Sequence, residues 1–101
     1  MEFVRFKVFV LQAAQQYIDS LAKSEQGAIQ ADINAIERGN FDSVYTKTLK
    51  GKVRELIVGN HRISYFTIGT MLYLVRGFRK KSAKTPKVEI EYAEHVYKLM
   101  K

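Results

Sequence analysis

The sequence predicts an α+β fold, in which a strand, a helical hairpin, a three-stranded antiparallel meander and a C-terminal helix share a single sheet of about four strands. Three observations support this prediction. Apolar residues alternate along residues 2–10, as they do in a half-buried strand. Over residues 11–38 their spacing changes to that of amphipathic helices. Further on, three runs rich in β-branched and aromatic residues are separated only by glycine-containing pairs, which is typical of β-hairpins.

The first strand is predicted over residues 2–10, because the side chains on one side of it are apolar: Val4, Phe6, Val8 and Val10. A helix follows in which the inward positions are again apolar: Leu11, Ala14, Ile18 and Leu21. A second helix begins near Ser24, a suitable N-cap residue, and ends at Gly39, which suits the left-handed conformation that closes many helices. The two helices are expected to form a hairpin whose apolar stripe packs on the sheet.

The middle of the chain is predicted to be a loop followed by the meander. Residues 41–51 show no clear period and are assigned to the loop. The three strands that follow occupy residues 52–58, 61–68 and 71–78. They are joined by two predicted two-residue turns, Gly59-Asn60 and Gly69-Thr70.

The last helix is predicted to begin at Thr85 and Pro86. Thr85 would be its N-cap, and Pro86 would take the first helical position, where a missing N–H costs nothing. The inner stripe of this helix is predicted to consist of Ile90, Ala93, Tyr97 and Met100. Lys84 lies just before the helix, so its ammonium and the first backbone N–H groups are placed to receive a phosphate together.

Two-residue turns fix the register of the meander. The predicted pairs are Ile57–Arg62, Glu55–Ser64, Phe66–Tyr73, Ser64–Val75 and Arg62–Gly77. This register places Glu55, Arg62 and Arg79 on one face of the sheet, where Gly77 leaves room beside Arg62. The opposite face holds the residues that would pack against the helices: Leu56, Val58, Ile63, Tyr65, Leu72, Leu74 and Phe78. Two arginines also fall on this core face: Arg54 and Arg76.

The positive charge of the chain is concentrated in its second half. The formal net charge is +7, but residues 43–88 alone hold eleven basic side chains and one carboxylate, a net charge of +10. Residues 1–42 hold four basic and six acidic side chains. Such a one-sided field attracts polyanions. A nucleic acid fits it, and an acidic protein or an anionic lipid surface fits the charge equally well.

Composition limits the class of protein. The 101 residues are enough for one domain and too few for two, so residues 1–101 are expected to form a single domain. The chain has no cysteine, which excludes disulfides and thiolate metal sites, and its apolar runs are far shorter than a membrane span. We therefore expect a cytoplasmic protein without a membrane partner. Because carboxylates are so scarce in the basic half, neither a metal site nor a cofactor is expected.

The densest cationic stretch is residues 74–86 (LVRGFRKKSAKTP), which is predicted to be a strand end, a loop and a helix start. We expect this stretch to bind a polyanion, with RNA as the leading candidate. A solubilising surface loop is the alternative.

The residue types around this stretch suit phosphate chemistry. Guanidinium groups match phosphate oxygens and stay charged, so Arg62 and Arg79 are suited to stabilise a phosphorane. Lys84 or Lys81 can assist them or protonate a leaving oxygen. Glu55 is the one carboxylate in the basic half, and it is either a general base or a structural salt-bridge partner of Arg62.

Two blocks of sequence carry a resemblance to a known family: residues 55–66 (ELIVGNHRISYF), and residues 74–81 with 84–86 (LVRGFRKK and KTP). Together with the preceding strand and two helices, they resemble the RelE/ParE superfamily of bacterial toxins, and most closely its HigB-like branch, which is often found in phage genomes. The resemblance implies a RelE-like fold. It also implies neutralisation by a cognate antitoxin and, as in many members, cleavage of mRNA in the ribosomal A site.

The resemblance also assigns residues. The sheet arginine of the family falls on Arg62, and the arginine after the last strand's glycine falls on Arg79. The sequence departs from the family at four places. His61 replaces the usual tyrosine, and Arg76 stands where histidine is expected. The lysines that some relatives carry two strands over are replaced around Val53 and Glu55, and no tyrosine near Thr85 matches the acid of the best-known members.

The function expected from residues and resemblance together is that of a type II toxin acting as a ribosome-dependent, metal-independent mRNA endonuclease that inhibits translation. The expected catalytic residues are Arg62, Arg79, Lys84 and Glu55. The expected RNA-binding residues are Lys50, Lys52, His61, Lys80, Lys81 and Lys87. The expected partners are mRNA, the ribosome and an antitoxin, a helix-turn-helix protein encoded next door. A non-enzymatic, ParE-like gyrase poison and a nucleic-acid-binding phage accessory protein are the alternatives.

Overall fold

In the computed structural model, which describes residues 4–101, a five-stranded sheet separates a two-helix hairpin from a C-terminal helix. The elements in chain order are β1 (Lys7–Val10), α1 (Gln12–Asp19), α2 (Lys23–Glu37), β2 (Tyr45–Lys50), β3 (Val53–Val58), β4 (His61–Ile68), β5 (Met71–Arg79) and α3 (Lys87–Met100). The strand order across the sheet is β1-β5-β4-β3-β2. β1 runs parallel to β5, whereas the other neighbours are antiparallel. The predicted α+β order is confirmed, with one strand more than expected.

The helical hairpin buries the larger core on one face of the sheet, called here the hairpin face. The helices contribute Ala14, Ile18, Ile29, Ile33 and Ile36. The sheet contributes Leu56, Ile63, Tyr65, Leu72 and Leu74. Leu11 does not join them, because it precedes α1 and packs on the opposite side of the sheet.

Helix α3 covers the opposite face, called here the α3 face. Its core is small and centres on Val53, Phe66, Val75 and Ala93, all at most 1% exposed. Tyr97 adds an edge-on contact to Phe66, with the ring centroids 5.0 Å apart. Only Ala93 of the helix is buried, so α3 depends on polar contacts as well as on apolar packing for its attachment.

The first predicted strand is shorter than expected in its described part. β1 begins at Lys7, and Val4 is 56% exposed, whereas Phe6, Val8 and Val10 pack against the hairpin-face core. The predicted strand residues Glu2 and Phe3 lie outside the described residues.

The prediction of a loop over residues 41–51 was wrong. A short 3-10 turn, Phe41–Ser43, leads into β2, which pairs with β3 at the edge of the sheet. A bulge between Thr48 and Lys50 interrupts this pairing and places Leu49 out of step. An edge strand is solvated on one side, and the bulge breaks its alternation, so no period of two is visible in its sequence.

Three helix ends were predicted, the two ends of α2 and the start of α3, and only the C-terminal end of α2 agrees with the structure. α2 ends as expected at Gly39, whose φ is 82°; its N–H donates to the carbonyl of Ile36, and the N–H of Asn40 donates to that of Ala35. α2 begins at Lys23 rather than after Ser24, because the carboxylate of Glu25 accepts the N–H of Ala22.

The N-cap predicted at Thr85 was also wrong. α3 begins at Lys87, so Pro86 is the cap residue rather than the first helical residue. The hydroxyl of Thr85 instead donates to a side chain on the sheet, Glu55.

Both two-residue turns are confirmed, since Val58 pairs with His61 and Ile68 pairs with Met71. The pairs Ile57–Arg62, Glu55–Ser64 and Phe66–Tyr73 are confirmed as well. A bulge in the β4–β5 pairing then makes Val75 an extra residue, so that Ser64 pairs with Arg76 and Arg62 with Phe78.

The bulge reverses the predicted facing of the end of β5. Arg76 and Phe78 lie on the α3 face together with Arg62, whereas Gly77 and Arg79 pair with Ile63 and His61 on the hairpin face. The predictions that Arg62 and Arg79 share a face, that Gly77 makes room for Arg62, and that Arg76 lies on the core face were therefore wrong.

Candidate functional site

A cavity of 530 Å³ opens on the α3 face, between strands β2 to β5 and the segment of residues 80–86. This cavity is called the cleft below. Its lining includes six cationic residues: Lys47, Arg62, Arg79, Lys80, Lys81 and Lys84. Two carboxylates also line it, Glu55 and Glu89. The cleft is therefore strongly electropositive, and it joins residues from both ends of the basic half of the sequence.

Glu55 lies at the base of the cleft and is 3% exposed. One carboxylate oxygen accepts a hydrogen bond from the hydroxyl of Thr85 at 2.7 Å. The other lies 3.8 Å from Nε of Arg62, on the neighbouring strand. Because a buried carboxylate is costly without partners, these contacts compensate its burial, and they attach the segment before α3 to the sheet. Glu55 thus acts as an anchor in this arrangement.

Arg62 is held by the turn that precedes it. Its Nη1 donates to the carbonyl oxygens of Gly59 at 2.8 Å and of His61 at 3.0 Å. With Glu55 beside Nε, two of the three guanidinium nitrogens are held by protein groups, and Arg62 lines the cleft. A guanidinium held in this way at the wall of a cavity is suited to bind a phosphate group.

Arg76 attaches the first turn of α3 to strand β5. Its guanidinium donates two hydrogen bonds to the carboxylate of Glu89, at 2.8 and 3.1 Å, and lies 4.2 Å from the ring centroid of Tyr92. The hydrogen bond to Glu89 raises the pKa of Arg76, so the guanidinium stays charged. The negative charge of Glu89 is therefore balanced by Arg76, although Glu89 lines the cleft.

The segment 80–86 carries three of the six cationic residues that line the cleft. It leaves the sheet through a hydrogen bond from the N–H of Lys80 to the carbonyl of Asn60, at 2.7 Å. The hydroxyl of Ser82 then donates to the carbonyl of Lys84 at 3.0 Å, which bends the segment over the cleft. Within residues 4–101, no carboxylate lies within 4.0 Å of the ammonium groups of Lys80, Lys81 or Lys84.

The structure brings together six of the residues predicted from sequence: Glu55, Arg62, Arg79, Lys80, Lys81 and Lys84. Arg79 differs from the others, because its guanidinium points to the hairpin face, where Nη1 lies 3.7 Å from Glu25. It therefore contributes to the rim of the cleft rather than to its base.

The other four predicted residues do not line the cleft. Lys50 lies 3.6 Å from Glu94 on α3, and Lys52 and Lys87 are exposed outside it. His61 is only 4% exposed and is enclosed by Tyr17 and Glu25 on the hairpin face. Because protein groups hold both ring nitrogens, the imidazole is not placed to bind RNA in this arrangement.

Sequence reasoning missed two site residues. Lys47 lines the cleft and pairs with Glu55 across β2 and β3. The sequence assigns residues 41–51 to a loop, so it could not predict which residue Lys47 would pair with or which face it would lie on. Thr85 has the sequence context of a helix cap, and no sequence pattern distinguishes that role from its hydrogen bond to Glu55.

Comparison with known proteins gives one family and one fold. The model of the family described as "Phage derived protein Gp49-like" matches residues 16–98. A chain of the crystal structure of the toxin–antitoxin complex RelBE2 from Mycobacterium tuberculosis is similar over 76% of this chain and 100% of that chain, with a TM-score of 0.62 and 13% sequence identity. At this identity the likeness concerns the fold alone, and it confirms the expected RelE-like architecture. No curated protein matches the sequence.

Among the described residues, no helix is both long and apolar enough to cross a membrane. No three histidine, aspartate or glutamate side chains of residues 4–101 are grouped so as to hold a metal ion.

Proposed function

Since the chain belongs to the phage-derived Gp49-like family, we propose that it is the toxin of a type II toxin–antitoxin pair and that it cleaves mRNA on the ribosome. The family, and a fold shared with a chain of the RelBE2 complex, support the toxin assignment. The HigB-like branch of the RelE/ParE superfamily is the subgroup that its motifs favour.

The observation that carries the nuclease proposal is the cleft. Six cationic residues line a 530 Å³ cavity with one guanidinium fixed at its base, and this charge is complementary to that of an RNA backbone. RNA phosphates are read by such cationic groups without regard to base sequence. The lysines of residues 80–86 have no carboxylate partner in the described part of the chain, so they are available to neutralise phosphates.

The proposed chemistry is attack of a ribose 2′-oxygen on the adjacent phosphorus, with the 2′-hydroxyl proton passing to solvent water. The bond from phosphorus to the 5′-oxygen then breaks, which leaves a 2′,3′-cyclic phosphate and a 5′-hydroxyl. Arg62 stabilises the charge that develops on the phosphorane, because its guanidinium is held in place at the wall of the cleft. Lys84 or Lys81 donates the proton to the leaving oxygen. Arg79 binds a flanking phosphate at the rim. No metal ion takes part in this scheme.

Glu55 is the carboxylate closest to this chemistry, and we assign it a supporting role. As a general base it would need to release Thr85 and to become accessible, since it is 3% exposed. Its contacts favour an anchor that holds Arg62 and the segment 80–86 in place.

The proposed partners follow from the proposed activity. They are mRNA and the ribosome as the target in the cytoplasm, and a cognate antitoxin, which we expect to be a helix-turn-helix protein encoded in the neighbouring reading frame. The similar structure is itself that of a toxin–antitoxin complex.

Controlled expression of the protein tests the proposal. We expect translation to stop and primer extension to reveal cleaved mRNA, and we expect Arg62→Ala combined with Arg79→Ala to abolish both effects. Lys98→Ala, on the exposed part of α3, serves as the control that retains toxicity. Intact mRNA together with DNA damage would support a ParE-like gyrase poison instead. Unaffected growth would contradict both toxin functions and favour a nucleic-acid-binding accessory protein.

A further inference from the structure

The imidazole of His61 lies on the hairpin face at the centre of a chain of polar side chains from three elements. Its Nδ1 is 2.6 Å from the hydroxyl of Tyr17 on α1, and its Nε2 is 2.6 Å from a carboxylate oxygen of Glu25 on α2. The same oxygen of Glu25 is 3.7 Å from Nη1 of Arg79 on β5. The His61 side chain is 6% exposed, so protein groups hold both of its ring nitrogens.

The directions of these hydrogen bonds follow from the groups involved. The bond from His61 lowers the pKa of Glu25, so this carboxylate is ionised at neutral pH and only accepts. Nε2 therefore carries a proton, and in the neutral imidazole Nδ1 accepts the hydroxyl proton of Tyr17. Burial raises the pKa of Tyr17, which keeps that proton on the phenol. The hydroxyl of Tyr17, both ring nitrogens of His61 and the carboxylate of Glu25 thus all have hydrogen-bond partners.

A glycine on the neighbouring strand makes room for this chain. Gly77 pairs with Ile63 on the hairpin face, directly beneath the ring of Tyr17. A Cβ atom at position 77 would lie 2.3 Å from Cδ2 of Tyr17, far inside the usual separation of about 3.5–4.0 Å between carbon atoms. The hydroxyl of Tyr17 can reach His61 only because residue 77 has no side chain.

The backbone around the same histidine builds the base of the cleft on the opposite face. The carbonyl oxygens of Gly59 and His61 accept hydrogen bonds from the guanidinium of Arg62. The carbonyl oxygen of Asn60 accepts the N–H of Lys80, the first residue of the cationic segment. The turn between β3 and β4 thus sets the place of Arg62 and the point at which the segment 80–86 leaves the sheet.

We propose that His61 is a positioning residue, whose imidazole, clamped between Tyr17 and Glu25, fixes the turn that orients Arg62 for RNA. The helical hairpin thereby determines the geometry of a site on the far side of the sheet. The consequence for RNA rests on the proposed function, whereas the consequence for the turn does not.

A double-mutant cycle measured as affinity for a fluorescent single-stranded uridine oligoribonucleotide tests the proposal. Tyr17→Phe removes one hydroxyl from the chain and leaves the cleft residues unchanged. It is expected to weaken binding about fivefold in the wild-type background, the usual effect of one lost hydrogen bond. In the Arg62→Ala background it should have no further effect. Tyr45→Phe, which removes a hydroxyl from a tyrosine that is 75% exposed, is the matched control and should change nothing.

Two further variants separate positioning from folding. His61→Gln can still donate to Glu25 and should bind RNA better than His61→Ala, with thermal unfolding confirming that each variant is folded. Equal losses for Tyr17→Phe in the two backgrounds would overturn the proposal, because they would show a general structural effect that does not act through Arg62.

Hydrogen exchange at the Lys80 amide, followed by NMR, decides the matter independently of RNA. This amide is bonded to the carbonyl of Asn60, so Tyr17→Phe should speed its exchange about fivefold, and Tyr45→Phe should not. If the wild-type protein does not bind RNA, or if Arg62→Ala binds as well as wild type, the proposed function fails while this measurement still stands. An unchanged exchange rate in Tyr17→Phe would refute the positioning role.

Discussion

Glu55 has both carboxylate oxygens engaged inside the protein, one by Thr85 and one beside Arg62. We predict that Glu55→Gln lowers the rate of mRNA cleavage by less than about tenfold, because the amide oxygen still accepts the hydroxyl of Thr85. Loss of a general base costs about 100-fold to 10,000-fold. A fall of that size in Glu55→Gln, with little change in Thr85→Val, would show that Glu55 is the base. Single-turnover cleavage rates distinguish the two outcomes.

At the scale of the residue, the sequence predicts which kinds of side chain belong to the site better than it predicts which groups they contact. The pairing of Ile57 with Arg62, and the salt bridge between Glu55 and Arg62, follow from turn length and charge, and both are present. The direction of Arg79 depends on a bulge at Val75 that no composition signal marks. A histidine beside a turn is usually exposed, but two helix residues distant in sequence enclose His61.

At the scale of the element, we predict that replacing glycine by alanine has opposite effects on stability in α2 and in β5. Gly27 lies inside α2, and a Cβ atom added there would meet open space, so Gly27→Ala should stabilise the fold by about 0.5–1 kcal/mol. Gly77→Ala would force its methyl group into the ring of Tyr17 and should destabilise the fold by about 1–3 kcal/mol. Urea unfolding of the two variants measures both changes. Equal effects would contradict the close packing of Tyr17 on β5.

The attachment of α3 gives a second prediction at this scale. Arg76 and Glu89 form a bidentate pair that is partly buried, and apolar packing under α3 is limited to a few residues. We predict that Arg76→Lys destabilises the protein by about 1 kcal/mol, because a single ammonium cannot replace two parallel hydrogen bonds. In the Glu89→Gln background the same substitution should cost less. Urea unfolding of the four proteins gives the coupling energy, and a value near zero would show that the pair does not hold α3.

Element order was predictable because each helix and central strand carries its own period and its own glycine or proline signal. The exception is β2, whose pairing with β3 is interrupted at Thr48 and whose outer edge faces solvent. Because β2 was not predicted, Lys47 was not assigned to the site: the face on which a residue lies follows only from the register of its strand.

At the scale of the whole molecule, the sheet separates two polar systems that share one turn. The cleft lies on the α3 face, and the chain of Tyr17, His61 and Glu25 lies on the hairpin face. Their connection through residues 59–62 explains how a helical hairpin without cationic cleft residues can still influence the site. The sequence could predict the concentration of charge but not this connection, which requires the strands to be paired.

The distribution of charge predicts how RNA binding responds to salt. Each lysine that neutralises a phosphate of single-stranded RNA contributes about 0.7 to the slope of log affinity against log salt concentration. Lys80→Gln combined with Lys81→Gln should therefore reduce the magnitude of that slope by about 1.4. Lys23→Gln combined with Lys98→Gln is the matched control, because it lowers the net charge by the same two units, from +7 to +5, at exposed positions outside the cleft.

Fluorescence titrations with the uridine oligoribonucleotide at several salt concentrations give the slope of log affinity against log salt concentration. This slope is measured for four proteins: wild type, the two double variants and Arg62→Ala. If the cleft holds the RNA, the control variant keeps the wild-type slope, since screening removes the effect of charges farther than about 10 Å from the phosphates at about 0.1 M salt. If both double variants lose the same slope, binding depends on net charge alone. The cleft would then not be the RNA site, and the positively charged half of the chain would act only as a diffuse attractant.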